Sequence, residues 1–418
     1  MHSLTVLFLL AVVTSSVARW WLSARQVRAV VAHRASVPAP FAAQIDLPAH
    51  TKAADYTVAR ERFGRIDLAL DVAILLFLTL GGGIDYLDRI WQPLELDAPL
   101  HGTLVVLTLL FVQSLISLPL SIWGTFKIEA RFGFNRVTPK LFVVDTFKQW
   151  LLGLILGGPI LWVVLYLMNR AGARWWLYAW VVWSAFSLLL NWAWPTFIAP
   201  LFNKFSPLGD QSLLERINAL LKRSGFASQG VFVMDGSRRS THGNAYFTGF
   251  GHSKRVVFFD TLLQTLQPAE IEAVLAHELG HYRRHHIRNR ILLSLIMSFG
   301  GLALLGWLAS WPAFYAALGV SAPSAHAALL LFMLALSPVL FWITPLSAWW
   351  SRRQEFEADE YAAEQADAAE LATALTKLYR ENANTLTPDE LHSAFYDSHP
   401  PALTRIARLQ RLAGAAPA

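Results

Sequence analysis

The 418-residue chain contains no cysteine. That absence excludes disulfide bonds, thiolate nucleophiles and cysteine-ligated metal centres together. Charge is also scarce, at 15% Asp, Glu, Lys and Arg, where a soluble domain carries about 25%. Apolar residues take the remaining place: 55% of the chain is hydrophobic, with 17 Trp and 26 Phe, and the mean hydropathy is +0.39. Aromatic residues collect at bilayer interfaces, and the composition is that of an integral membrane protein in contact with a lipid bilayer. The net charge of +6 comes without a basic face of interleaved aromatics. It is assigned to membrane-flanking loops, and no nucleic-acid partner is expected.

Seven apolar stretches approach the roughly 20 helical residues needed to cross a hydrocarbon core: Leu4–Leu22, Ile66–Ile84, Leu100–Trp123, Trp150–Met168, Trp175–Trp194, Ile291–Trp311 and Ala327–Trp349. The second is the weakest, since it carries Asp71 and ends in Gly81-Gly82-Gly83. Leu4–Val13 followed by Ser16-Val17-Ala18 has the outline of a signal peptide, but it lacks a basic leader, and Arg19-Trp20-Trp21 suits an interfacial anchor. An uncleaved first helix is therefore expected. The chain divides into residues 1–195 with five spans, a polar region 196–290, two further spans in 291–349 and a polar tail 350–418. Polar groups inside spans (Asp71, Gln113, Ser114, Asn191) suit a hollow interior or helix–helix contacts. No motif bears on oligomeric state.

Loop charge sets the orientation. The first loop carries Arg25, Arg28, Arg34, Lys52, Arg60, Arg62 and Arg65; the next is acidic, with Asp85, Asp88, Glu95 and Asp97; the third is basic again. Alternation puts both polar regions in the cytoplasm, and Arg283, Arg284, Arg288 and Arg290 at the mouth of the sixth span agree.

The first polar region holds His277-Glu278-Leu279-Gly280-His281. On a helix, positions i and i+4 share a face, so two imidazoles can point at one Zn²⁺ while Glu278 takes a proton from the attacking water. Gln267-Pro268 with Glu270 marks a helix start, and Gly280 is read as leaving room at the metal face. A catalytic zinc takes three protein ligands, and without cysteine the third must be His, Asp or Glu. Beyond the seventh span, Glu355 and Asp359 are four apart on one helical face, with Glu357 about 160° around from Glu355. Either can bind metal while the other orients a ligand histidine. Glu357, Glu360 and Glu364 read as solvated, and His285 and His286, among four arginines, as interfacial.

HELGH, two hydrophobic spans and then Arg352-Arg353-Gln354-Glu355-Phe356-Glu357-Ala358-Asp359-Glu360-Tyr361-Ala362 resemble the CAAX prenyl protease 1 family of integral-membrane zinc endopeptidases. So do 240–250 and 254–263 upstream, and Ser398-His399-Pro400-Pro401 with Arg405 downstream. The resemblance implies a mostly α, polytopic membrane protein of seven transmembrane helices around a chamber, with a cytoplasmic HExxH zinc-peptidase domain containing a small β element. It implies Zn²⁺ held by His277, His281 and Glu355, with Glu278 as general base and Asp359 steadying a ligand histidine. His399 and Arg405 would face the oxyanion; taken bare, His399 before two prolines is a turn residue. Asn244, in a strand predicted over 244–247, would hold an extended substrate by edge pairing.

The expected partner is a peptide or protein substrate that is membrane-associated, lipidated or CAAX-like. The Ala/Arg-rich composition and lack of a eukaryotic retrieval signal suggest a bacterial inner membrane. A heat-shock membrane protease has too few spans before its zinc helix, and a site-2-type protease would bury HExxH inside a span. From another class, the competing reading is a non-catalytic zinc-binding scaffold or transporter, which the intact Glu278 argues against.

Overall fold

The computed structural model describes residues 2–248 and 254–415. Among the described residues, six helices are long and apolar enough to cross a bilayer: Ser3–Ala32, Ala98–Glu129, Pro139–Arg170, Gly172–Phe202, His286–Ala309 and Ala325–Gln365. The second expected span is bent rather than straight. Helices Leu47–Leu78 and Gly83–Leu94 meet at 59°, because Gly81-Gly82-Gly83 interrupts the rod and Gly82 adopts a left-handed φ of +75°. Glycine enters that conformation without steric cost. With this broken span counted, seven segments among the described residues are long and apolar enough to cross.

The continuous spans run to between 24 and 41 residues, and most outreach a hydrocarbon core of about 20 residues. Their surplus turns carry the chain out of the bilayer as preformed helix. The last span shows the consequence. The expected change at residue 350 from membrane helix to polar tail is not a break, since one helical rod runs from Ala325 to Gln365 through a single 3₁₀ turn at Phe341–Ile343. Glu355 and Asp359 therefore ride on the extension of a membrane span beyond its apolar stretch, held in register with it.

In the most apolar 18-residue stretch of each of the six continuous spans only 6% to 33% of residues are buried, so the helices leave surface to lipid and internal cavities. A cavity of about 670 Å³ is lined by Arg60, Glu61, Asp71, Tyr379 and His399, joining the membrane helices to the peptidase region. Asp71 and Gln113 line another of about 280 Å³. Ser114 instead accepts a hydrogen bond from Trp150 Nε1 at 2.9 Å, and Asn191 is exposed, donating to Ser187 O of its own helix.

Between the fifth and sixth spans lies a four-stranded sheet: β1 (Phe205–Pro207), β2 (Val231–Met234), β3 (Ala245–Thr248) and β4 (Arg255–Phe259). The order is β1-β2-β4-β3, with β2 and β4 parallel and the other pairs antiparallel. Gly249 and Phe250, which close the upstream stretch of the resemblance, lie outside the described residues. The sheet packs on a helix, Pro268–Arg283, that bears the HELGH residues. Pro268 fixes its first turn, and the Gln267 N–H donates to Glu270 Oε2 at 2.7 Å in a capping box. Its apolar face (Ile271, Leu275, Leu279) joins Phe258, Ile217, Leu371 and Leu409 in one core. Phe41 and Ile45, from the loop after the first span, are buried there too. Among the described residues these segments build one core in the peptidase region, one among the spans, and a small third cluster of Ala53, Tyr56, Phe132, Phe134 and Ala383.

The HELGH helix lies against the carboxylate-bearing end of Ala325–Gln365. Gly280, expected to leave space at the metal, faces that helix instead: a Cβ there would sit 2.8 Å from Ala358 Cα and 3.0 Å from Ala358 O. The missing side chain sets the interhelical distance. Gly280→Ala is expected to force the helices apart and cost about 1–3 kcal/mol, the usual range for overpacking. Thermal unfolding of the detergent-solubilised variant checks this; an unchanged midpoint would show that the contact is not tight.

Candidate active site

The helical spacing puts His277 and His281 on one face, and their rings lie 5.0 Å apart. Both aim Nε2 at the carboxylate of Glu355: His277 Nε2 is 3.4 Å from Oε2, and His281 Nε2 is 3.3 Å from Oε1. These separations test whether the trio fits a metal. Ligand atoms about 2.0–2.1 Å from a tetrahedral ion stand about 3.3 Å from one another, which is the spacing of both nitrogen–oxygen pairs, and all three ligand atoms lie within 4.8 Å of one another. Two imidazoles and one carboxylate are also a donor set of catalytic zinc. Glu355 and His277 are buried and His281 nearly so.

The remaining ring nitrogens fix the histidine tautomers. His277 Nδ1 lies 2.8 Å from Asp359 Oδ1, so a proton there donates to the carboxylate and Nε2 is the nitrogen that gives up its proton to a metal. Asp359 is wholly buried and gripped by Arg405, whose Nε and Nη2 donate to its two oxygens at 2.9 and 2.8 Å. Arg405, itself buried, also brings Nη1 to 3.4 Å from Glu355 Oε2. Its fork thus braces the two carboxylates from behind. His399, by contrast, is well exposed toward the larger cavity, with Nδ1 2.7 Å from Glu355 Oε2.

His281 has its own support, from residues read in the sequence as interfacial or solvated. His281 Nδ1 lies 2.9 Å from His286 Nδ1, and His286 Nε2 lies 3.0 Å from Glu357 Oε2. With the His281 Nε2 lone pair turned to Glu355, its Nδ1–H donates to His286, whose Nε2–H donates to Glu357. His286 is buried rather than interfacial because the helix breaks at His285, which takes a left-handed φ of 60°. The new helix beginning at His286 folds its first side chain back over His281. Five residues of separation gave no periodic signal for this. Glu360, also read as solvated, pairs with Arg408.

Asn244 stands just before β3 rather than within it, exposed on the edge strand, and its Oδ1 accepts from the Ala245 N–H at 2.8 Å. Its carbonyl receives Phe259 N–H at 2.9 Å, continuing the β3–β4 ladder by one pair.

Burial raises the pKa of Glu278, with Glu355 adding to the shift and His277 opposing it. A carboxylate so tuned is suited to trading protons. Burial and then Arg405 act to lower that of His277, but its hydrogen bonds to Asp359 and Glu355 outweigh them and carry it up to about 9. Burial lowers that of His281. A metal at these nitrogens must therefore displace a proton from His277 at neutral pH, while His281 is already neutral. Metal affinity is expected to rise by up to about tenfold per pH unit between pH 6 and 8, the slope for one released proton. Competition with a chromophoric chelator measures it; a flat profile would contradict a protonated His277 in the ligand set.

Residues 26–204 match a family described as "CAAX prenyl protease N-terminal, five membrane helices", and residues 207–413 match peptidase family M48. A CAAX prenyl protease 1 homolog of Arabidopsis thaliana is 34% identical over 82% of this chain and 81% of its own length. The human homolog is 33% identical over 81% and 80% respectively. The crystal structure of S. mikatae Ste24p superposes with a TM-score of 0.88 at 29% identity, covering 98% of this chain and 99% of the other. A seven-span frame, an HELGH helix packed on a carboxylate helix, and matches along both halves give one answer: this chain belongs to the CAAX prenyl protease branch of the M48 peptidases, integral-membrane zinc metalloproteases.

Proposed function

We propose that His277, His281 and Glu355 hold the catalytic Zn²⁺, and that Glu278 is the general base of peptide-bond hydrolysis. One observation carries this: both histidines present Nε2 to the two oxygens of Glu355 at 3.3–3.4 Å. Bound there, zinc supplies a Lewis acid that polarises a scissile carbonyl and acidifies water. Glu278 takes the proton of the attacking water and delivers it to the leaving amine. Asp359 holds the His277 tautomer, and His286 with Glu357 holds that of His281.

His399, exposed at the cavity, donates to the developing oxyanion. Arg405 adds permanent positive charge from behind Asp359 and Glu355. The substrate enters as an extended strand along the β3 edge, with Asn244 at its start. The substrate class is the peptide segments of membrane-associated proteins, including lipidated or CAAX-like C-termini, which the relatives' name indicates. The 670 Å³ cavity between spans and site suits a chain arriving from the bilayer. Loop charge supports a cytoplasmic active site, and composition supports a bacterial inner membrane.

Glu278→Gln is expected to keep zinc and to lower kcat by about 10²–10⁴-fold, the usual worth of a positioned base. Wild-type cleavage is expected to stop with chelator and return with Zn²⁺. Elemental analysis and a peptidase assay on purified protein check both, and a fully active Gln variant sinks the assignment. The natural absence of cysteine makes orientation measurable with single introduced thiols. A membrane-impermeant maleimide applied to intact cells is expected to label Asp97→Cys and to spare Lys222→Cys, both exposed sites. The reverse pattern would invert the topology.

A further inference from the structure

At the end of the membrane domain remote from HELGH, three side chains from three separate segments converge. Asp88 belongs to the helix Gly83–Trp91 after the bent span, His101 to the first turn of Ala98–Glu129, and His326 to the first turn of Ala325–Gln365. His101 Nε2 lies 2.8 Å and His326 Nε2 2.7 Å from the same oxygen, Asp88 Oδ1. One oxygen and two imidazole nitrogens all lie within 4.8 Å of one another. His326 and Glu355 are 29 residues apart on one helical rod, which at 1.5 Å per residue is about 44 Å. The two clusters therefore occupy opposite ends of the molecule.

The surroundings hold these three groups in place. A Cβ on residue 102 would lie 2.9 Å from His326 Cβ and 3.0 Å from its Nδ1, so Gly102 provides the space the imidazole occupies. Asp88 Oδ2 is taken by Gln92 Nε2 at 3.2 Å, which turns Oδ1 to the histidines. Ser324 Oγ stands 3.1 Å from His326 Nε2. The loop before it is tied down by Asp85, which accepts from the Ser321 N–H at 3.0 Å. Asp88 and His101 keep 26% and 15% of their side chains accessible, against 9% for His326, so an ion has a path in from water.

We propose that Asp88, His101 and His326 form a second divalent-metal site, of the zinc class, that clamps three chain segments at the face opposite the peptidase centre. Two Nε2 donors and a carboxylate, with no thiolate anywhere in the chain, favour a borderline ion over calcium or magnesium. The present contacts are those of a hydrogen-bonded triad. Admitting an ion requires them to open by about half an ångström, to the ligand spacing of a tetrahedral centre. Binding there cross-links the bent span to the first turns of two others, at the point where the helix Gly83–Trp91 meets them.

The test is metal stoichiometry on the full-length protein, stripped with chelator, reloaded with excess Zn²⁺ and desalted. Wild type is expected to retain about two ions per chain, one per site. His101→Gln and His326→Gln are each expected to retain about one and to keep peptidase activity. His277→Ala/His281→Ala is expected to retain about one while inactive. One ion in wild type, or two in either Gln variant, overturns the proposal. Should the Gln variants fail to purify, the double variant decides alone, since no retained zinc in it also overturns the site.

Discussion

The near-contact of two helix backbones at Gly280 and Ala358 is the constraint on which the rest of the site depends. One helix supplies the imidazoles and the other the carboxylates, and neither can assemble a three-ligand set alone. A side chain at 280 would hold them apart, and the 3.3–3.4 Å spacing between Nε2 atoms and Glu355 oxygens would be lost. The core behind the HELGH helix and the capping box at its start hold it rigidly enough for that distance to matter. Rigidity on the other side comes from the membrane, because the carboxylate helix is the end of a transmembrane rod.

Burying four ionisable groups at this contact is tolerable only because they are mutually compensated. A lone carboxylate at the Asp359 position, fully removed from water, would be prohibitively desolvated. Arg405 grips both its oxygens and His277 donates to one of them, so its charge is met twice. The same arginine approaches Glu355, which also receives His277, His281 and His399. The charge network and the tautomer network are thus one structure. Each ring nitrogen turned away from the prospective metal has a designated acceptor, reached directly for His277 and through His286 for His281.

Which features are legible in the sequence follows from the range of the interactions that make them. His277 and His281 were legible because the i,i+4 relation is local, and the Glu355–Asp359 pair because it repeats the same relation. Which of the two carboxylates would face the imidazoles was open on spacing alone, since either satisfies a helical face. Packing resolves the geometry: Glu355 reaches both Nε2 atoms and Asp359 reaches Nδ1 of His277. His286, among four arginines, reads as interfacial, and Glu357 reads as solvated. Only the left-handed turn at His285 brings them together. Likewise Gly81-Gly82-Gly83 signalled weakness in the second span, but not a 59° bend.

The class of molecule and the chemistry available to it are written in the chain's own composition and spacings. Apolar runs long enough to cross lipid, an absence of thiols and a pair of four-residue spacings are properties of the chain alone, whatever its neighbours. Tertiary structure decided which groups meet. It placed Arg405 behind the carboxylates rather than in an open cleft, put His286 beneath His281, and drew Asp88, His101 and His326 to one point from segments up to 238 residues apart. These meetings are set by how helices pack and where they break, and such long-range contacts leave no periodic trace in the sequence.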